Sequence, residues 1–548
     1  MRRRVVQLAL GLLTAAALLP PAVPAATVRA VPTAGETPLL PGTYAANRFV
    51  MPLSFSVKAD AWRVEQAARR EMFLLHGAAC CEQNAGRRTG ILAMLQPSRV
   101  IDPRTGKQRR TPPDLGRWLR RNPHLKVVQG PRLRVGGRSV RRLDVRFRSR
   151  TPDNEECANF AVVSFGPFGV CPEERGRIAV VRVAGSSVLF FWTAAPRAAL
   201  PRFERAARSL LKTVRFGERS GLAPRPRVLL IGMSDPTTDD VLFFAREAAR
   251  RSSGALQVSV RSELFGDKPD SEQQVARAVQ AGRLPVAWDA TRVWDIEGVL
   301  SFQGLQAPFL VDSAALMERV IASPLAAQAA SGLASKGVVS LGLAAWNLRR
   351  PLGAKRPFRS LADFSGAKVN IISSKLSRAV ISALGATPRE VGGGEDLADA
   401  LRTGKVDAAE TAIDVVYRNG YSGVAKFMTS NVVLFPKFAS IDVNADVMDG
   451  LAAPLRDALA GAAAATGAHS AAGLADLEDA DAAALCRQRV RFVSATQAQL
   501  DAIAAAEQPV YDTLAADPGT ASLIDGIRAL KQQGGLGAGL TIPANCQD

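Results

Sequence analysis

The chain has 548 residues, with 70 lysines and arginines against 50 aspartates and glutamates, a formal net charge of +20 and only three histidines. Hydrophobic residues make up 47% of it, which excludes a disordered or fibrous chain and leaves material for several compact units. The few histidines, and the lack of HExxH, GxSxG or P-loop patterns, weigh against metalloprotease, hydrolase and nucleotide chemistry.

The chain opens with MRRR, an apolar run Val5–Leu19 and a Pro/Ala-rich stretch ending Val23-Pro24-Ala25-Ala26. A basic start, a short apolar run and small residues at a cleavage site predict a secretory signal peptide over residues 1–26. The alternative, a retained membrane anchor, lacks a stop-transfer pattern behind it. No cysteine near the site offers a lipid anchor, and no later run is long and apolar enough for a membrane helix. A secreted or envelope-associated protein is the expectation.

After a linker read at 27–46, charge divides the chain. Residues 47–220 hold 34 Lys+Arg against 14 Asp+Glu, whereas 221–548 hold 32 against 35. The formal excess therefore sits near the N-terminus, which predicts two domains: a basic one at 47–217 and a second at 227–548. The GERSGLAPRPR stretch supplies a linker at 218–226.

In the basic region, Val140–Phe147, Ala161–Phe165, Ile178–Val183 and Val188–Trp192 read as strands. Ala61–Leu75 and Pro201–Leu211 read as helices, giving a small α+β domain. Its arginines often come in pairs, as at Arg109–Arg110, Arg120–Arg121 and Arg141–Arg142. Such a surface attracts anionic cell-envelope polymers or lipid head groups; the plainer reading is a solvated basic surface. Nucleic acid is not expected as a partner, because the chain reads as exported and carries no aromatic stacking platform or DNA-binding motif.

Six cysteines in an exported chain favour disulfides over metal or redox chemistry. Cys486 and Cys546, the only two in the second domain, are expected to pair. Cys157 and Cys171 flank a loop they could close; the adjacent Cys80 and Cys81 leave the pairing in the first domain open.

In the second domain, Val228–Gly232 reads as a buried strand, followed by the polar turn MSDPTTDD, in which Thr238 or Asp239 caps a helix. The predicted order continues with strand Leu256–Val260, helix Ser271–Gln280, strand Leu284–Trp288, helix Ser313–Lys336 and strand Val338–Ala344. Strand Lys368–Ile372, helix Lys375–Leu384, strand Arg389–Val391 and helix Asp396–Thr403 follow. Ala453–Thr466, Ala471–Cys486 and Ala495–Leu514 are Ala-rich helices. Strands alternating with helices predict parallel α/β lobes.

Five short patterns then occur in order: Gly254–Gly266; Pro308–Leu310; Arg356, Pro357, Ser360, Asp363, Gly366, Lys368, Val369 and Asn370; Ala383–Pro388; and Leu401, Gly404, Val406, Asp407 and Glu410. Over residues 226–535 the chain resembles the DctP-type solute-binding proteins of TRAP transporters. The resemblance implies an α/β, two-lobed, periplasmic-binding-protein-like clamshell (type II-like) behind the small α+β domain. It implies capture of a small organic solute, delivery to a TRAP-type membrane permease, and no chemistry or cofactor. An extracellular ligand-sensing receptor is the alternative, and a secreted hydrolase using Asp407 or Glu410 the less favoured one.

Two positions depart from the family pattern. Asn370 stands where the family usually has an arginine that grips a carboxylate bidentately, and Thr411 follows Glu410 where the family commonly has Asn. The ligand therefore need not be a simple carboxylate, unless another cation substitutes. Arg292, in the loop after a strand's C-terminal end, is the best-placed substitute. Trp288, Trp294 and Trp346 offer flat walls. The expected ligand-binding set is Trp288, Arg292, Trp346, Asn370, Ser373, Glu410 and Thr411.

Overall fold

The computed structural model describes residues 28–548 apart from 34, 60, 78–88, 153–155, 218, 220, 267, 535–538 and 548. The expected signal peptide and the Cys80–Cys81 pair lie outside the described residues.

The N-terminal unit is built on an antiparallel sheet of eight strands. Its order is Leu125–Val135, Arg138–Phe147, Arg175–Val183, Ser186–Ala195, Thr89–Leu95, Glu71–Gly77, Trp62–Ala67 and Thr37–Pro38. The helix Leu200–Thr213 buries Leu200, Phe203, Ala207, Leu210 and Leu211, a helical-period stripe, against the core holding Phe190 and Trp192. All four expected strands and the expected helix at 201–211 are present.

Two expectations fail here. Ala61–Leu75 is not a helix but two strands, Trp62–Ala67 and Glu71–Gly77, joined by a tight turn in which the Ala68 N–H donates to the Glu71 carbonyl. Trp62, Val64, Met72 and Leu74 alternate into one core, and β-sheet pairing overrides the helix-forming alanines between them. Residues 27–46, read as linker, contain the strands Val28–Ala30, Thr37–Pro38 and Gly42–Ala46.

From Arg227 a second sheet begins. The parallel strands Leu256–Arg261, Arg227–Gly232 and Val286–Ala290 form a first lobe, and the parallel strands Ala408–Ala412, Lys368–Asn370 and Thr387–Arg389 a second. Between them run two long antiparallel strands, Val338–Gly353 and Phe435–Asn444. The first of these leaves the first lobe at Val338 and pairs Arg349–Gly353 with Ala408–Ala412 of the second. Any change in lobe angle must bend this pair, so it is the crossing.

Among the helices, proline sets the breaks. The expected helix 313–336 ends at Ile321 and restarts at Leu325 after Pro324. The expected helix 495–514 divides at Glu507, ahead of Pro509. Conversely, the two Ala-rich helices expected at 453–466 and 471–486 are one helix, Ala453–Arg487, which packs along the crossing strand through Ser470 and Glu478.

The two units are joined through the first lobe's edge. Glu36 bridges Val260 in antiparallel fashion, and the Thr37 and Ser259 hydroxyls share a buried hydrogen bond of 2.7 Å. This covers the exposed edge of Leu256–Arg261 and leaves the crossing untouched. The expected Cys486–Cys546 disulfide forms and ties the C-terminal segment to the end of the long helix, and Cys157 pairs with Cys171, a pairing the sequence left open.

Candidate functional site

The region where the lobes face each other is assembled from strand ends and the crossing pair. At the C-terminal end of Arg227–Gly232 the chain turns and presents Asp235. The helix Ser271–Gln280 supplies Glu272, and the segment after Val286–Ala290 supplies Arg292. Phe435–Asn444 supplies Lys437, and Val338–Gly353 supplies Trp346, Asn347 and Arg349. The second lobe contributes Glu410, Asp414 and Arg418.

These groups form a connected ionic cluster. Arg292 donates to both carboxylate oxygens of Glu272, at 2.6 and 3.0 Å. Lys437 donates to Asp235 at 3.0 Å, and its ammonium lies 3.2 Å from Glu272. Arg349 is bonded to the Glu410 carboxylate and also donates to its carbonyl, and Arg418 donates to Asp414 at 3.0 Å. A second bidentate pair, Arg350 with Glu478 at 2.9 Å for both bonds, locks the crossing strand to the long helix.

Burial alone would push the Asp235 and Glu272 carboxyls up. The cations reverse this: Lys437, Arg418 and Arg292 hold Asp235 below its ordinary range, and Arg292 and Lys437 do the same for Glu272. For Arg292, burial works against the charge, but Glu272, Glu410 and Asp235 outweigh it and raise its pKa. The four carboxylates Asp235, Glu272, Glu410 and Asp414 thus match the four cations Arg292, Arg349, Arg418 and Lys437.

The aromatic wall is also in place. Trp288 and Trp346 meet edge to face with ring centroids 6.3 Å apart, and the Lys437 ammonium sits 3.6 Å from the Trp346 centroid. Trp288 itself is buried among Leu229, Val258 and Ile441. Its Nε1–H finds no acceptor among the described residues.

The expected site residues therefore divide. Trp346, Arg292 and Glu410 share the ionic cluster, with Trp288 against its aromatic wall. Arg292, expected as a substitute cation for a ligand carboxylate, is held bidentately by Glu272. Asn370 is buried and its Oδ1 accepts from the Val391 N–H at 2.9 Å, so it ties two neighbouring strand ends together. Ser373 faces across the lobes through its carbonyl, which accepts from Gln273 at 2.7 Å. Thr411 is buried opposite Arg350 in the strand pairing.

Asp407 and Glu410 do not form a carboxylate pair. They lie at and within a strand, where positions three apart point to opposite faces, and Asp407 accepts from the Lys368 N–H at 2.8 Å. Asp235, Glu272, Lys437 and Asn347 were not anticipated. Lys437 carried a signal: it is the one lysine in FPKFASIDVN, a run otherwise free of basic residues, and a buried lysine demands carboxylate partners.

Residues 230–517 match the family described as bacterial extracellular solute-binding protein, family 7 (DctP). The C4-dicarboxylate-binding periplasmic protein DctP of Rhodobacter capsulatus is 30% identical over 219 residues, which are 39% of this chain and 63% of that relative. The chain thus spans just under two thirds of that relative's length. Two solved structures share the fold. The sugar acid binding protein DctPAm of Advenella mimigardefordensis, in complex with galactonate, has a TM-score of 0.51 at 18% identity, covering 57% of this chain and 99% of that one. A TRAP periplasmic solute binding protein of Roseobacter denitrificans with bound β-D-glucuronate has a TM-score of 0.50 at 23% identity, covering 56% and 100%. The family match takes in more than half of the residues and the whole crossing between the lobes, and the chain belongs to the DctP family, family 7 of the bacterial extracellular solute-binding proteins.

Proposed function

We propose that this protein is exported and captures a small organic solute between its two lobes for delivery to a TRAP-type membrane permease. The observation that carries the reading is the cluster of Asp235, Glu272, Arg292, Trp346, Lys437 and Glu410, drawn from both lobes and from the strands that cross between them. A solute bound there touches both lobes at once and stabilises one lobe angle over others. The relatives with sugar acids bound support an organic solute of modest size.

The N-terminal unit is proposed to hold the protein near anionic envelope polymer. Lys126, Arg146 and Arg175 stand in register across three adjacent strands, a row of three cations. Like charges directly opposite one another destabilise a sheet, so the row favours an anionic partner that screens it.

The test is a thermal-shift titration of the purified protein with small acidic, neutral and zwitterionic solutes. A ligand that binds only the folded state raises the melting temperature saturably, with about 2.7 kcal/mol of stabilisation at a hundredfold excess over Kd. The expected result is such a shift in the wild type and its loss in Trp346→Ala. No saturable shift from any solute contradicts the reading.

A further inference from the structure

The ionic cluster between the lobes is balanced before any ligand arrives, and three of its buried oxygens are left with spare accepting capacity. Asn347 donates through Nδ2 to Asp414 at 3.2 Å, and Gln273 donates through Nε2 to the Ser373 carbonyl. Both partners can only accept, so the orientation of each amide is fixed and its oxygen is the free end. Asn347 Oδ1, Gln273 Oε1 and Glu410 Oε1 are buried and find no donor among the described residues. Buried acceptors without donors are costly to leave unmet, so what enters must bring N–H or O–H groups.

Asp235 points the same way. Its side chain retains 22% exposure, whereas that of its partner Lys437 retains 4%. The accessible member of the pair is the anion. Access from solvent therefore meets a carboxylate first, with Glu272 and Glu410 close enough to influence the same guanidinium, that of Arg292. A plain carboxylate placed here adds an unmatched negative charge beside three others, and Asn370 is neutral and engaged with Val391.

We infer that the cleft takes a small zwitterionic solute of amino-acid type, its ammonium received by Asp235, Asn347 and Glu410 and its carboxylate by Lys437. The zwitterion inserts into the Asp235–Lys437 ion pair: one pair opens, two form, and the net charge of the cluster is unchanged. Trp346, over which the Lys437 ammonium now lies, provides a face that suits a cation as Lys437 swings toward the ligand carboxylate. Because Asp235 belongs to the first lobe and Glu410 to the second, one ammonium group would tie the two together. This assignment rests on the capture reading above and narrows it to one chemical class.

The experiment is isothermal titration of the purified full-length protein with matched probes. These are alanine, leucine, phenylalanine and glutamate; the 2-hydroxy acids of the same skeletons; glucuronate and galacturonate; and neutral polyols. The expected result is saturable binding of at least one amino acid, with its 2-hydroxy analogue weaker by about a hundredfold or more, since the hydroxyl brings no positive charge to Asp235 and Glu410 and leaves the ligand carboxylate unbalanced. Asp235→Asn, with an unchanged circular dichroism spectrum, is expected to lose tenfold or more for the amino acid. Should Asp235→Asn misfold, the wild-type ratio between the analogues decides alone. Equal or tighter binding of hydroxy acids, uronates or polyols overturns the zwitterion assignment and leaves solute capture standing. Absence of binding across every class overturns both.

Discussion

The ammonium of Lys437 lies 3.6 Å from the centre of the Trp346 ring. The lysine side chain is almost fully buried, with Asp235 and Glu272 as its carboxylate partners at 3.0 and 3.2 Å. A charge so placed is stable only through those partners, and they rest on it together with Arg292 and Arg418. Lys437→Ala leaves Asp235 and Glu272 with Arg292 as their nearest compensation. The expected cost is about 3–5 kcal/mol of unfolding free energy, read as a lowered urea midpoint at neutral pH. A midpoint within error of wild type contradicts the pairing.

The Arg350–Glu478 pair ties the crossing strand to the long helix and is buried on both sides. Removing one member strands the other, so Arg350→Met and Glu478→Leu are each expected to cost about 3–5 kcal/mol. The double variant replaces two charges with apolar groups and is expected to recover much of that loss. A double-mutant cycle on chemical denaturation measures the coupling; additive losses contradict it.

Much of the fold was legible in local chemistry. Thr238 caps its helix by accepting from the Val241 N–H, and Ser360 with Asp363 forms a capping box, both signals present in the sequence. Apolar runs located six strands of the second unit, but the strand expected at Val338–Ala344 runs on to Gly353, and Ala408–Ala412 and Phe435–Asn444 were not anticipated. The helix expected over 61–75 failed because strand pairing at Trp62–Ala67 depends on neighbours that local pattern does not reveal. The site was legible only in part, for a related reason. Asp235 and Lys437 meet across 202 positions, and Arg292 meets Glu272 across 20, so their pairing is a property of the assembled sheet. Asn370 was visible as a departure from the family pattern, but its bond to Val391 depends on how the neighbouring strand ends meet.

Glu507 is buried at the break between two C-terminal helices, and neither carboxylate oxygen has a partner among the described residues. Burial pushes its pKa up to about 8. Asp442, bonded to Trp294 and Ser440, is pushed up to about 7, again by burial. Raised carboxyl pKa values mean that the folded protein holds protons the unfolded chain releases near pH 4. Stability is therefore full below that range and declines as pH rises through about 7 and then about 8. Melting temperatures are expected to fall between about pH 5 and pH 8, more steeply below pH 7 where both groups contribute, and to level off above that. Glu507→Gln is expected to flatten the alkaline part of the decline, by an amount on the order of a few kcal/mol. An unchanged slope contradicts the assignment.

The Cys486–Cys546 disulfide closes a 60-residue separation and fixes the C-terminal segment to the core around Leu485 and Phe492. Cys546→Ser is expected to cost about 2–4 kcal/mol, measured by chemical denaturation without reductant. Equal stability of variant and wild type contradicts a structural role for the bond.

For the basic sheet face, Lys126→Gln, Arg146→Gln and Arg175→Gln combined in the full chain are expected to weaken retention on anionic cell-wall material at low salt. Retention of the wild type is expected to fall as salt rises through the range that screens surface charge. Equal, salt-insensitive retention of both proteins contradicts the tethering proposal.

Solute capture between the lobes is tested most directly by native mass spectrometry of freshly purified protein, wild type beside Glu410→Gln. A small-molecule adduct is expected on the wild type, of one mass and one copy per chain, and is expected to be absent or strongly reduced in the variant. An adduct retained equally by both proteins, or a wild type carrying none and acquiring none from added solutes, would contradict capture between the lobes.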